Sequence, residues 1–178
     1  METNPSLFKG EKRPVECVSW EDAQAFCEKL SARSGKQIRL PTEAEWEYGC
    51  RAGTTTAFFF GSMISTEQAN YNGGSDVSGI STKGKYRAET TDVGTFPSNK
   101  LGLYDMHGNV YQWCEDFYGE YPKKAVIDPK GLAQGVRRVL RGGSWNDGPD
   151  NCRSASRYSH GATDGRSALG GFRVVVAP

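Results

Sequence analysis

Five cysteines and two histidines are the residues through which this chain could ligate a soft metal or mount a nucleophile. Cys17, Cys27, Cys50, Cys114 and Cys152 form no Cys-x-x-Cys pair, and His107 and His160 complete no Cys/His cluster with zinc spacing. An odd thiol count suits reduced cysteines in a cytosol, where a free cysteine commonly serves as a small buried hydrophobe. His107 stands in a turn motif and reads as a packing residue. The acids that could pair for proton transfer, Glu21, Asp22, Glu43 and Glu45, fall in helical first turns, where they complement the helix dipole. One stretch then stands out: the 25 residues from Asn146 to Gly170, rich in Asn, Asp, Ser, Gly, Tyr and His. A long irregular segment inside a domain is usually functional or disordered. Because strands are expected at both ends, it reads as an ordered display loop.

Those strands are Val139–Leu140 and Phe172–Val176, β-branched or aromatic runs bounded by glycines. Upstream, Ser19-Trp-Glu-Asp22 has the form of a capping box. Ala23, Phe26, Cys27 and Leu30 follow at i, i+3, i+4 and i+7, which predicts an amphipathic helix closed by Gly35. Ile38–Leu40 predicts a brief extended link. Thr42-Glu-Ala-Glu45 repeats the capping logic for a second helix through Trp46, Gly49 and Cys50, stopping near Gly53. Residues 52–100 lack periodicity and must be tied down otherwise. Packing of Phe58–Phe60, Tyr71 and Tyr86 is the favoured means, with metal ligation the other. A strand is expected after the Gly108-Asn109 turn, with Val110, Gln112 and Cys114 on one face and Tyr111, Trp113 and Glu115 on the other. In the segment Tyr158–Gly170 neither helix nor strand is expected.

The bulk properties bound the answer. At 178 residues the chain is most economically one domain, 1–178, of loop-rich α+β class. Its 22 basic and 21 acidic residues are well mixed, so no basic stripe points to nucleic acid. No apolar run is long enough to cross a bilayer. The first residues lack a cationic region followed by an apolar one, so no signal peptide and a cytoplasmic location are expected.

Several motifs stand together in order: Ser19-Trp-Glu-Asp-Ala, Arg39-Leu-Pro-Thr-Glu-Ala-Glu-Trp-Glu-Tyr48, Gly102-Leu-Tyr-Asp-Met-His-Gly-Asn-Val110, Arg141-Gly-Gly-Ser-Trp145 and Gly171-Phe-Arg173. Through them the chain resembles the formylglycine-generating enzyme (sulfatase-modifying factor) family, which has a C-type lectin-like fold with few regular elements. The resemblance covers nearly the whole chain. It enters at Asn4-Pro-Ser-Leu-Phe-Lys9, as an N-terminally shortened version would. The family's enzymes oxidise a substrate cysteine with oxygen, copper and two cysteines five apart, shortly after Gly-Gly-Ser. Linear Cu(I) binding needs two soft sulfurs. Only Cys152 follows that motif here, so copper chemistry is not expected; Cys152 would be catalytic only if the enzyme reading held. Iron-dependent relatives need a histidine-rich site, which two histidines do not supply. The resemblance also implies calcium ligands at Asp105, Gly108, Val110 and Gln112, with a second site beginning at Asn70 and Tyr71 whose Asp cannot be placed in the 76–92 loop. Gln112 offers a neutral carbonyl where the family has an acid, which weakens a calcium site. No cofactor is required, and calcium is left open.

Residues 138–176 resemble most the variable regions of diversity-generating retroelement proteins, bacterial binding proteins on this scaffold. There, randomised adenines yield a restricted residue set that excludes Lys, Glu, Gln, Met and Trp. None of those five types occurs after Trp145. The resemblance implies a non-catalytic recognition protein, with Trp145 at the rim of the contact surface. That surface would comprise Asn146, Asp147, Gly148, Asp150, Ser156 and Tyr158, then Ser159, His160, Gly161, Ser167, Ala168 and Leu169. Its composition suits a paratope: Tyr supplies rigid contact area, while Ser, Gly and Asn adapt their hydrogen bonding. Arg153, Arg157 and Arg173 are expected to brace the loop through backbone carbonyls. The partner would be an unidentified protein or other macromolecule. The competing readings are a copper- and oxygen-dependent oxidase and a degenerate relic of one.

Overall fold

The computed structural model describes residues 3–74, 77 and 79–177. The first two residues of the lead-in and Asp76 of the 76–92 loop lie outside the described residues, as do residues 75, 78 and 178. Helix α1 (Trp20–Ser34) begins at the expected capping box. The Ser19 hydroxyl accepts from the Asp22 N–H at 3.1 Å, and the Asp22 carboxylate accepts from the Ser19 N–H at 2.9 Å. Gly35 closes α1 in the left-handed conformation. Helix α2 (Glu43–Arg51) has the same box on Thr42 and Glu45, and ends at Ala52 rather than Gly53.

Between the helices, β1 (Ile38–Arg39) pairs antiparallel with β6 (Val175–Val176). The main sheet has the order β4-β3-β2-β5, formed by β2 (Tyr111–Phe117), β3 (Arg137–Arg141), β4 (Arg157–Gly161) and β5 (Gly170–Phe172). Neighbours β2–β3 and β3–β4 run antiparallel, while β5 joins β2 in parallel. The run Phe172–Val176, read as one strand, divides between the two sheets. Tyr158–Gly170 is not wholly irregular, because all five residues of β4 pair with β3. A short 3-10 turn, Pro149–Cys152, precedes it.

The alternation expected along β2 is present, and it divides the core. Tyr111 and Trp113 join Leu140 of β3 and the α1 side chains Ala23 and Cys27. Cys114 and Val139 face the other way, onto Trp46 and Cys50 of α2. A third cluster (Phe58, Ile64, Ala69, Tyr71 and Cys152) pins the long loop, and Phe58, Phe59 and Phe60 all pack on the His107 ring. Gly108 shows why the turn before β2 needs glycine. Its φ is +78°, and a Cβ there would run into the Asn70 backbone carbonyl.

Candidate functional site

The segment between β3 and β5 is held from below by ion pairs. Arg141 is fully buried at the end of β3; its guanidinium lies on the Glu47 carboxylate and donates to the Ser154 and Ser156 carbonyls. Arg157, first in β4, reaches the buried Glu43 with two hydrogen bonds, 2.6 and 2.8 Å, and donates to the Gly119 carbonyl. Arg153 donates to the Asp150 carbonyl, and Arg173 to the Tyr104 carbonyl. Bracing through carbonyls was expected of Arg153, Arg157 and Arg173. The carboxylate partners were not, and Glu43 does more than complement its helix dipole.

Above this frame, period-2 alternation along β4 sorts the side chains. Arg157 turns to the α2 face, where Ser159 pairs across from Val139 and is only 7% exposed. Ser159 therefore departs from the contact surface expected of it. Tyr158 and His160 turn to the other face. Tyr158 is 49% exposed and stacks on Tyr111 at 5.1 Å between centroids. Together with Asp147, Ser167 and Leu169, they line a cavity of about 220 Å³, completed by Tyr111, Leu140, Gly165 and Gly170. The Asp147 carboxylate accepts from the Tyr111 hydroxyl at 3.2 Å and from the Ser144 hydroxyl. Burial raises the Asp147 pKa. Burial, then the Asp147 charge, pushes the Tyr111 phenol well above its usual range.

Trp145 forms an aromatic rim with two residues from the framework: Phe8 meets it edge-on at 5.6 Å, and Tyr86 stacks at 6.3 Å. Its indole N–H donates to the Ala168 carbonyl, and the exposed Asn146 accepts from the Tyr86 hydroxyl. The expected surface therefore contains one cavity and one rim. Gly148, Asp150, Ser156 and Gly161 do not line the cavity. The Asp150 carbonyl instead accepts from the Ser156 hydroxyl and the Arg153 guanidinium, knotting the turn. Tyr111, Tyr86 and Phe8 are the residues that sequence reasoning missed in the site. Tyr111 was legible as one face of β2, but nothing local marks Phe8 as the neighbour of Trp145.

The metal-binding alternatives depend on the available donors. Cys152 is fully buried against the cluster of Phe58 and Tyr71, and burial raises its pKa well above the thiol range. A lone, buried, protonated thiol does not suit Cu(I), which needs two thiolates. His107 is equally unavailable. Its Nδ1 donates to the Cys152 carbonyl at 2.7 Å, and its Nε2 accepts from the Phe59 N–H at 3.1 Å. Burial lowers its pKa to about 4. At the Asp105 position the Gln112 carbonyl oxygen already accepts from the Trp46 indole at 2.7 Å and from the Arg173 guanidinium. Asp105 keeps one oxygen buried without a partner, but the other accepts from the Gly94 N–H. Val110 lines one cavity with Asp105 and Gln112, whereas Gly108 is outside that lining and donates to the Gly142 carbonyl. Asn70 bridges to Gly108, with its carbonyl bonded to the Asn109 N–H and its side-chain oxygen unpartnered. Among the described residues, no group of three or more His, Cys, Asp or Glu is placed to hold a metal ion. No helix among them is long and apolar enough to cross a membrane.

The sequence matches the family described as the sulfatase-modifying factor enzyme 1-like domain over residues 2–178. The serine/threonine-protein kinase pkn1 of Chlamydia pneumoniae is 40% identical over 152 residues, covering 83% of this chain and 21% of that protein. The formylglycine-generating enzyme of Mus musculus is 36% identical over 177 residues, covering 94% of this chain and 45% of the enzyme. The chain thus spans less than half the length of these curated relatives. Among solved structures, Treponema denticola variable protein 1 superposes with a TM-score of 0.84 at 30% identity, covering 100% of this chain and 79% of that one. PvdO from Pseudomonas aeruginosa gives 0.77 at 31%, covering 95% and 64%.

Proposed function

We propose, from the premise that this chain belongs to the sulfatase-modifying factor enzyme 1-like family, that it is a non-catalytic recognition protein. The segment after Trp145 would carry its target specificity, as in the diversity-generating retroelement variable proteins that it resembles. One observation carries this reading. Between β3 and β5 the bracing groups, Ser144, Cys152, Ser154 and Ser159, are buried, while Asn146, Asp150, Tyr158 and Ser167 are exposed. A loop whose outward chemistry can change without disturbing what holds it can serve many ligands on one fold. The proposed contact set is Trp145, Asn146, Asp147, Tyr158, His160, Ser167, Ala168 and Leu169. The target would be a protein or other macromolecule.

The test is an exchange of outward residues. Asn146, Asp150 and Ser167 are each replaced by other small polar types, and unfolding is followed by urea titration. Each change is expected to move stability by no more than about 0.5 kcal/mol. Tyr158 should cost about 1 kcal/mol because of its stack on Tyr111. A library varied at Asn146, Tyr158 and Ser167 and displayed on phage should yield binders to unrelated immobilised proteins. Losses above about 2 kcal/mol at several of them, or a library that never binds, would end this reading.

The second reading, copper- and oxygen-dependent oxidation of a peptide cysteine, is favoured by identity to formylglycine-generating enzymes. It predicts copper uptake and conversion of a cysteine peptide, abolished by Cys152→Ser. The recognition reading expects neither.

A further inference from the structure

We infer that the cavity between Tyr158 and Leu169 is a socket for one cationic side chain, arginine or lysine, presented by the bound target. This inference rests on the recognition reading and adds the chemistry of what is recognised. At about 220 Å³ the cavity is below the usual size of a small-molecule site and suits a single side chain. Its walls are apolar at Leu140 and Leu169, which can cover an alkyl stem. Its polar end holds the Asp147 carboxylate, whose two oxygens accept only from the neutral Tyr111 and Ser144 hydroxyls. Among the described residues, no lysine or arginine pairs with it.

Asp147 is half-buried; a carboxylate partly withdrawn from water without a counterion is costly, and an incoming cation offsets that cost. The surrounding arginines are already committed: Arg157 to Glu43 on the opposite sheet face, and Arg166 to Asp22 at 2.8 Å. Neither lysine nor arginine lines the cavity; the imidazole of His160 is its one nitrogen base, and Asp147 is its one carboxylate. The half-exposed phenol ring of Tyr158, backed by its stack on the buried Tyr111, supplies the second attraction, since an aromatic face draws a cation. Guanidinium and ammonium groups are all donor, which matches a carboxylate with free lone pairs.

The experiment titrates the full chain with three capped amino acids and follows backbone amide shifts by NMR. The probes are N-acetyl-arginine methylamide, its neutral isostere N-acetyl-citrulline methylamide, and N-acetyl-glutamate methylamide. The arginine probe should shift the amides of Tyr158, His160 and Leu169, and bind about tenfold tighter than citrulline, as a charged partner supplies. In Asp147→Asn the two should bind alike. Tyr158→Ser, which leaves the carboxylate in place, should weaken the arginine probe while the fold still melts in one cooperative transition. Equal binding of citrulline, or tighter binding of glutamate, at the same amides overturns the cationic socket and leaves the recognition reading standing. Silence from all three probes at residues 145–169 overturns the socket as well. The library experiment then judges recognition by itself.

Discussion

Arg141 ties the turn before β4 to helix α2. It is wholly buried, with Glu47 against its terminal nitrogen, Glu43 3.5 Å from its Nε, and two carbonyls from the turn before β4. Removing one member of such a group leaves a buried charge unmatched. Arg141→Met or Glu43→Gln should therefore cost about 3–5 kcal/mol in urea unfolding, far more than any change at the exposed positions above. His107 adds a pH dependence of the opposite character. Its buried ring resists protonation down to about 4, whereas in the unfolded chain it titrates near its ordinary 6.5. The unfolded state binds the extra proton, so stability should fall as pH drops from about 6.5 toward 4 and level off below. His107→Gln should flatten that window in a pH series of thermal midpoints. The carboxylates of Asp22 and Glu45, held near 2 first by Arg166 and Arg39, act mainly at lower pH.

At the level of elements, local signals and distant ones part company. Both helices were legible because the capping boxes are four-residue patterns with a local cause. Ser19→Ala or Thr42→Ala should each lower stability by about 1 kcal/mol in thermal denaturation. Strand β4 was not legible, because Arg-Tyr-Ser-His-Gly has little strand preference of its own. Its pairing comes from β3, through five registered positions, and pairing context outweighs intrinsic preference in sheets. The division of Phe172–Val176 was hidden for a related reason: its two halves pair with strands far apart in sequence, Tyr111–Trp113 and Ile38–Arg39. The cavity's Asp147, Tyr158 and Leu169 could be read from composition. Their neighbour Tyr111 could be read only as part of a strand. One position in the segment belongs to the framework despite its type. A Cβ at Gly165 would run into the buried Trp113 ring. Gly165→Ala should cost about 1–3 kcal/mol by overpacking, while Ser167→Ala nearby should be close to neutral in the same melt.

For the molecule as a whole, the sheet separates two kinds of work. One face meets α2 through Val139, Cys114 and the arginine–glutamate network; the other meets α1 and carries the stacked tyrosines. The family match over residues 2–178 agrees with motifs spread from Ser19 to Arg173, which is why family and fold were both readable. The site was less so, because its rim is assembled from Phe8, Tyr86 and Trp145, which no local pattern links. The every-second-residue geometry of β4 has a consequence for how such a segment can evolve. Adding or deleting one residue inside Arg157–Gly161 would exchange the faces, driving an aromatic ring toward Glu43 and lifting an arginine into solvent. If the segment is diversified as proposed, the changes would be substitutions at alternate positions of the strand. The number of positions is set by the strand beside it.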